Sequence, residues 1–560
     1  MGPTEYADCE MWWLGLHREG MNRTSLLPSL LAVLALAGCA SEIVPEQGDF
    51  VKGGNGKADS SAEAVFLDFE FDGTFLSDSS FNPNQKIEDQ LLYTIGQLNG
   101  DNSVGRLDKL ELTDVTIEDD SGRKRISYHA SIPVAWGKKN SIPSNYTLQL
   151  PADMSFSALD AFADSYGERC VDFGAHDVDQ GSMWYYYRPE RSGCNIAAGD
   201  LSKTTAAVSL SSINTTGKFP EYHKVWEDDA LKVVAIFGKY EDGATSGSDA
   251  GIAAYNTFAR TVENALDGKD GFASVPADIP SRPGVEMPEV SFSANLGDGR
   301  SIEVVALLVD NIRTAPASFN NRYEELTGSA DLIAYNGHAG LGANVRAMAR
   351  KGNWEEGQYS IVFINGCDTY AYVDSALADA HSAVNADDPN GTKYMDIVTN
   401  AMPSFFRSMP DASMALINGL LSYDDPKTYE SMFRNIDSAE VVLVSGEQDN
   451  EYVPGFGENP TDPIDAWAGL DESGTVVADE EHRFETPVLA AGTYEFELTG
   501  TQDADLYIRV GQEPSTRNFD CRPYLNGSNE NCTVEITTPT NVHVMVRGWN
   551  ASSDYALTAK

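Results

Sequence analysis

Two side chains capable of nucleophilic catalysis each follow a short apolar segment. His338 comes after the largely apolar segment 331–335, and Cys367 comes after the largely apolar segment 359–365. If both segments are strands of one parallel sheet, both side chains lie at the sheet edge where ligands bind. An imidazole there can accept the thiol proton and later protonate a leaving amine, while turn amides meet a developing oxyanion. The pair predicts acyl transfer through a cysteine thiolate.

Each of these residues also has a purely structural interpretation. A cysteine after an apolar strand is often a small buried hydrophobic residue, and a histidine there is often a hydrogen-bonded loop residue. What favours catalysis is the combination: both side chains follow successive predicted strands, in a chain that carries an export signal.

The segments around them predict a parallel sheet covered on both faces by helices. Residues 233–237 form a continuously apolar run typical of a buried parallel strand. Further strands are predicted at 302–309, 331–335, 359–365, 414–418 and 439–445, and helices at 253–266 and 320–326. We assign residues 226–455 to this α/β domain.

Residues 63–225 have an α+β pattern and precede this domain. Strands are predicted at 65–71 and 126–136, and helices at 86–98 and 157–166. The aromatic run 184–187 predicts a strand with core side chains. His176 to Asp179 could ligate a metal, but a polar loop is the favoured interpretation. We expect this module to be a propeptide or a substrate-positioning domain.

The amino end predicts export. An apolar stretch over 26–37, too short to span a bilayer, ends at Leu36-Ala37-Gly38-Cys39. This sequence resembles the lipobox of bacterial lipoproteins, which implies that Cys39 is diacylated; an ordinary signal peptide with an incidental cysteine is the alternative. Ala40 favours the outer membrane, and secretion is the other location considered.

The residues around that signal have their own interpretations. Acidic residues within 1–20 fit an export signal poorly, so we expect translation to start at Met21, which excludes Cys9. Residues 40–62 are rich in Gly, Asp and Ser and predict a linker, and residues 456–480 predict a second one.

Composition narrows the possible partners. The chain has 560 residues, 42% of them hydrophobic, and its 85 acidic against 39 basic residues give a formal charge of −46. This charge repels phosphate backbones and argues against nucleic-acid binding. We expect a monomer that acts on protein or peptide substrates and contacts the membrane only through its lipid anchor. The acidic composition slightly favours Lys or Arg in the substrate.

The cysteines are sorted by position once export is accepted, because disulfides persist outside the cytosol. Cys170 and Cys194 lie in one module, and Cys521 and Cys532 flank a short loop in another. Each pair is a candidate disulfide. Cys367 is left over, either buried and inert or kept for its nucleophilicity.

A strand ending in Asn336-Gly337-His338, followed by one ending in Gly366-Cys367-Asp368, resembles the caspase-like cysteine peptidases, which include gingipains, clostripain and legumain. The resemblance covers residues 231–454, and the motifs are 29 residues apart (367 − 338). It implies an α/β/α domain in which His338 is the general base and acid, Cys367 is the nucleophile, and the amides of Ala339 and Cys367 form the oxyanion hole.

The chain departs from this family at one position, and two further sites come with the resemblance. The family has Gly directly after the histidine, whereas here Ala339 stands there. A third residue that orients the histidine is sought at Asp310 or Glu241. Residues 387–391 could bind calcium as in some relatives, but their spacing favours a turn; no other cofactor is expected.

Residues 481–560 alternate with period two and predict an all-β sandwich. Predicted strands lie at 484–489, 492–498, 504–510 and 542–548. With Gly492-Thr493-Tyr494 and Val546-Arg547-Gly548, the stretch resembles the bacterial pre-peptidase carboxyl-terminal domain. The resemblance implies export in company with a hydrolase.

The sequence thus predicts an exported, lipid-anchored cysteine endopeptidase of several domains. The competing hypothesis is a surface lipoprotein whose caspase-like domain is inactive and which acts in binding or adhesion. The reactivity of the Cys367 thiol separates the two.

Overall fold

The computed structural model describes residues 59–175, 178–456, 467, 469–489, 492–536 and 540–560. The chain divides into two compact units, one ending at Pro454 and the other beginning at Gly455. Met21, Cys9 and the predicted anchor Cys39 lie outside the described residues, as do His176 and Asp177.

The first part of unit one is α+β. In chain order its elements are β1 (Asp59–Ser61), β2 (Val65–Ser77), α1 (Pro83–Leu91), α2 (Tyr93–Asn99), β3 (Ser103–Gly105), β4 (Glu111–Asp120), β5 (Arg123–Trp136), β6 (Asn145–Pro151), α3 (Phe156–Tyr166), α4 (Met183–Tyr186) and β7 (Leu201–Leu210). Six of these strands form an antiparallel sheet, in which β2 and β5 pair over thirteen residues from Val65 to Ser77. We call residues 63–225 the amino-terminal module.

Two sequence predictions differ from this part of the structure. Residues 184–187, predicted as a strand, lie mostly in the short helix α4, although all four aromatic side chains are buried as predicted. Four consecutive buried side chains fit a short helix inserted into a core as well as a strand buried on both faces, so the aromatic run alone does not decide between them. Residues 59–61, predicted as linker, form β1.

The second part of unit one alternates strands and helices. Its elements are α5 (Tyr222–Val225), β8 (Ala230–Gly238), α6 (Ala250–Leu266), β9 (Ala273–Val275), β10 (Glu289–Gly297), β11 (Arg300–Val309), α7 (Ala317–Thr327), β12 (Leu332–Asn336), α8 (Ala343–Lys351), β13 (Ser360–Asn365), α9 (Thr369–Tyr372), α10 (Ala376–Val384), β14 (Met395–Asn400), α11 (Met409–Leu420), α12 (Tyr429–Phe433) and β15 (Val442–Ser445).

These strands and β1 form a nine-stranded sheet in the order β1-β15-β14-β13-β12-β8-β11-β10-β9. The five neighbouring strands β14, β13, β12, β8 and β11 are parallel, while the pairs toward both edges are antiparallel. Over the described chain most strand pairs are antiparallel. The predicted parallel sheet is therefore present only at the centre of this one.

Both faces of the central strands are covered. Alternate side chains of β8 belong to different cores: Val233, Ala235 and Phe237 pack with α6 and α11, and Val234 and Ile236 pack with α7, α8 and α10. The prediction of a strand at residues 414–418 was wrong, since they lie in α11. A short apolar run fits a buried helix as well as a strand.

Asp331, directly before β12, gives this sheet a pH-dependent stability. Its side chain is 4% exposed and accepts a hydrogen bond from the Lys232 amide at 2.7 Å, and burial raises its pKa to about 8. Between about pH 4 and pH 8 the folded chain holds a proton that the unfolded chain has released, so stability falls as pH rises through this window.

We expect Asp331→Asn to be more stable than the wild type by about 2 kcal/mol or more above pH 8, and equal to it near pH 4. Urea unfolding at both pH values measures the difference. The exposed Asp298, on the turn between β10 and β11, provides the control variant Asp298→Asn. A difference that does not grow with pH would contradict the prediction.

The second unit is a β-sandwich. Its strands are β16 (Leu470–Val476), β17 (Glu481–Glu485), β18 (Gly492–Gly500), β19 (Ala504–Val510), β20 (Glu530–Ile536), β21 (Val542–Gly548) and β22 (Ser553–Ala559). Sheets of order β16-β22-β18-β20 and β17-β21-β19 enclose one core that includes Phe496, Val534, Ile508 and Val544. Residues 470–476, predicted as linker, are the first strand of this sandwich.

Candidate functional site

The structure brings the two predicted reactive residues to the same level of one sheet edge. Strands β12 and β13 are adjacent and parallel, and their last paired residues are Asn336 and Asn365. His338 and Cys367 each follow two residues later. Adjacent strands are about 4.8 Å apart, so the two turns that carry these residues begin side by side.

The two turns are in direct contact. The Gly337 amide donates to the Asn365 carbonyl oxygen at 3.1 Å. A Cβ atom on Gly366 would lie 2.7 Å from the Gly337 carbonyl oxygen and 3.3 Å from the Ala339 nitrogen. Only a residue without a side chain allows this approach, so glycine at position 366 keeps the histidine turn and the cysteine turn together.

We expect Gly366→Ala to force the turns apart. The added methyl group overlaps backbone atoms, which costs about 1–3 kcal/mol of stability, and activity that depends on both turns should fall as well. Thermal unfolding and peptide hydrolysis measure the two effects. Gly247→Ala is the matched control, because a Cβ atom there meets nothing within 4 Å; equal effects of the two variants would contradict this account.

The His338 ring is held by the turn after β8. Its Nε2 lies 2.9 Å from the Tyr240 carbonyl oxygen, and its imidazole packs against the rings of Tyr240 and Phe406 at 5.5 and 5.2 Å between centroids. A carbonyl oxygen can only accept a hydrogen bond, so Nε2 carries the hydrogen and Nδ1 is the basic nitrogen.

The two acidic residues suggested as the histidine's partner have other contacts. Asp310 forms an ion pair with Lys239 at 2.7 Å and accepts from the Gly243 amide. Glu241 is exposed, and its amide donates to Asp249. The Tyr240 carbonyl was missed because a main-chain group leaves no signal in residue type. The only available clue was that β8 precedes it and lies next to β12.

The Cys367 side chain is 8% exposed, and its Sγ lies 3.6 Å from the Ser404 carbonyl oxygen. The four other cysteines within the described ranges pair with one another, as Cys170–Cys194 and Cys521–Cys532.

Residues 401–408, after β14, form a loop that contacts both turns. Besides Phe406 against His338, the Ser404 hydroxyl donates to the Asn365 side-chain oxygen at 2.7 Å. Glu440 anchors the loop by accepting from the Phe405 amide and the Ser408 hydroxyl. Burial raises the pKa of Glu440 to about 7. This loop was not predicted, because its role depends on strand β14, which precedes it and was itself not predicted.

The other predicted sites are placed as follows. Both predicted disulfides are present, Cys170–Cys194 and Cys521–Cys532. Residues 386–391 form turns, in which Asp388 accepts from the amides of Thr392 and Lys393. In the part of the chain that the structure describes, no group of three or more His, Cys, Asp and Glu side chains is arranged to hold a metal ion.

No helix among the described residues is long and apolar enough to cross a membrane.

Comparison with known proteins finds similarity in the second unit. Residues 482–548 match the family model of the bacterial pre-peptidase C-terminal domain. The chain is 47% identical over 58 residues to a virulence metalloprotease of Vibrio anguillarum, covering 10% of each chain. It is 45% identical over 58 residues to a zinc metalloprotease of Helicobacter pylori, covering 10% of this chain and 23% of the relative.

An alkaline serine exoprotease A of Vibrio alginolyticus is 43% identical over 60 residues, which are 11% of each chain. This chain thus spans about a tenth to a quarter of the length of these curated relatives. These similarities lie in the carboxyl-terminal domain alone.

Solved structures include the solution structure of vEP C-ter 100, which is 36% identical and covers 15% of this chain and 83% of that one at a TM-score of 0.14. The pre-peptidase C-terminal domain of a collagenase from Bacillus anthracis is 14% identical and covers 16% and 89% at a TM-score of 0.15. On the family match, residues 482–548 are a bacterial pre-peptidase C-terminal domain.

Proposed function

We propose that the protein is an exported, lipid-anchored cysteine endopeptidase with a caspase-like α/β/α domain, in which Cys367 is the nucleophile and His338 the general base and acid. The observation that carries the proposal is the register of β12 and β13, which sets the two turns side by side. The carboxyl-terminal domain supports it, because relatives that match this chain are named as proteases.

The reaction uses the side chain of Cys367 as a thiol, because the thiolate is the nucleophile in cysteine catalysis. His338 then takes the thiol proton on Nδ1 while Nε2 stays bound to Tyr240. The thiolate attacks the peptide carbonyl carbon, and the oxyanion forms toward the amides of Ala339 and Cys367.

The tetrahedral intermediate collapses as the carbon–nitrogen bond breaks and the leaving amine receives the proton from His338. This leaves an acyl thioester on Cys367. Water, deprotonated by His338, attacks the thioester, and the acid leaves as the thiol is restored. Packing of the imidazole between Tyr240 and Phe406 restricts the ring to one orientation for both proton transfers.

A binding lipoprotein without peptidase activity is the second candidate. The methyl group of Ala339 favours it, because it adds bulk beside the predicted oxyanion hole.

Inhibitors of different catalytic types test the proposal, because the relatives are named as metalloproteases and a serine protease rather than as cysteine proteases. After mild reduction, we expect casein hydrolysis that iodoacetamide abolishes and that neither 1,10-phenanthroline nor a fluorophosphonate reduces. A peptidyl acyloxymethyl ketone should label Cys367, as read by peptide mapping. Inactivation by the chelator indicates a metal-dependent enzyme, and a Cys367 thiol that resists labelling in reduced, folded protein favours the binding candidate.

A further inference from the structure

The residue after the candidate nucleophile is held by the amino-terminal module. Asp368 is completely buried, and its two carboxylate oxygens accept hydrogen bonds from Asn99 Nδ2 at 2.8 Å and from the Tyr185 hydroxyl at 3.0 Å. Both donors lie in or at the end of short helices of that module, α2 and α4. Residues far apart in sequence thus meet directly behind the cysteine.

The backbone of Asp368 is held as well as its carboxylate. Its φ angle is +51°, in the left-handed region that Asp adopts more readily than most residues with a side chain. Its amide lies 3.3 Å from the Met402 carbonyl oxygen, and its carbonyl accepts from the Ala371 amide. Fixing the carboxylate therefore fixes the turn in which Cys367 is the preceding residue.

A second contact holds the same turn two residues later. The Tyr370 hydroxyl donates to Asp59 Oδ2 at 2.7 Å. Its ring packs against Phe66, with the Arg106 guanidinium 5.2 Å from the ring centroid. Cys367 and Tyr370 belong to the same apolar core as the buried side chains of the amino-terminal module.

We propose that the amino-terminal module is a permanent part of the catalytic apparatus, and that Asn99 and Tyr185 are positioning residues that act on Cys367 through Asp368. This inference rests on the proposed cysteine peptidase function. A propeptide, the first alternative from the sequence, covers a site that is already complete. Here the module supplies the donors and the core against which the cysteine turn is built.

The burial of these groups supports a fixed arrangement. Burial raises the pKa of Tyr185 well above its ordinary value, so its hydroxyl keeps its proton and donates a hydrogen bond at neutral pH. Asn99 also donates to the Ser103 carbonyl oxygen at 3.2 Å, which fixes its amide toward Asp368.

The test uses the full chain after reduction and compares Tyr185→Phe, Asn99→Ala and Tyr128→Phe. Tyr128 is the matched control, because its buried hydroxyl donates to Gln90 within the same module. Alkylation of Cys367 by iodoacetamide is followed by peptide mapping across pH, together with kcat and KM for a peptide. We expect Tyr185→Phe and Asn99→Ala each to lower the alkylation rate and kcat by about tenfold, with KM nearly unchanged. The control Tyr128→Phe should match the wild type.

Exchanging the residue types at positions 99 and 368 should restore the hydrogen bond between them. Asn99→Asp alone faces two carboxylates toward each other, whereas Asn99→Asp combined with Asp368→Asn restores a donor and an acceptor. The double variant should therefore recover much of the alkylation rate lost in Asn99→Asp.

Two outcomes overturn the inference. One is folded Tyr185→Phe and Asn99→Ala proteins with wild-type alkylation and kcat. The other is a gain of activity when proteolysis removes the amino-terminal module. These outcomes are distinct from failure of the peptidase proposal. If the wild type hydrolyses no peptide, that proposal fails, and the alkylation rates still measure the positioning of Cys367. If the wild type does hydrolyse peptides but both variants behave like it, only the positioning roles of Asn99 and Tyr185 are refuted.

Discussion

Replacing Cys367 with alanine is expected to lower kcat for peptide hydrolysis by at least about 10⁴-fold, because the covalent pathway loses its nucleophile. The fold should survive, since the side chain is small and its position at the end of β13 lies beyond the last strand pair. Hydrolysis of a fluorogenic peptide library by the reduced protein, with circular dichroism and thermal unfolding as checks, measures both.

The control for this experiment removes sulfur elsewhere. Combined replacement of Cys521 and Cys532 by alanine deletes a disulfide of the second unit, and we expect it to leave kcat within about twofold of the wild type while lowering the stability of that unit by about 2–4 kcal/mol. Unchanged turnover by the Cys367→Ala variant would mean that hydrolysis uses another group, and the proposed mechanism would fail.

Replacing His338 with alanine is expected to lower kcat by about 10²–10⁴-fold, the usual contribution of a general base and acid. The loss should be smaller at high pH, where hydroxide deprotonates the thiol without help from the imidazole. The wild-type kcat/KM profile should show an ionisation that the variant lacks. A pH–rate profile of both proteins, measured after reduction, tests this expectation.

His129→Ala is the matched control for this variant. His129 is a half-buried histidine of the amino-terminal module that contacts Asp72, and its replacement should leave the profile unchanged. If His338→Ala retains full kcat at neutral pH, His338 is a structural residue of the turn.

Much of the sheet was predictable, because its central strands are fully buried and therefore continuously apolar. Residues 233–237, 302–309 and 359–365 all lie in strands or overlap them closely. Since parallel strands end at one edge, the placement of His338 and Cys367 at that edge follows from the same pattern. The strands before the two motifs, β12 and β13, follow one another in the chain and are also neighbours in the sheet. Their proximity could therefore be predicted without knowing the rest of the fold.

The failures have a common cause: the missing information lies in contacts between distant segments. Residues 414–417 are apolar and buried in one core on a helix, and so short an apolar run does not distinguish a helix from a strand. Strand β14 was not predicted because Asp396, Thr399 and Asn400 interrupt its apolar run, although all three side chains are buried. The Tyr240 carbonyl contacts His338 and the Asn99 amide contacts Asp368 only because the fold brings distant segments together.

The nine-stranded sheet ends in a strand of only three residues on each side, β1 and β9. Long exposed border strands invite pairing with other chains, and short ones followed by proline discourage it; Pro276 comes directly after β9. Losing β1 would uncover the backbone donors and acceptors of β15 that it now pairs. Removal of the chain up to and including Ser61, which deletes β1, is thus expected to promote aggregation.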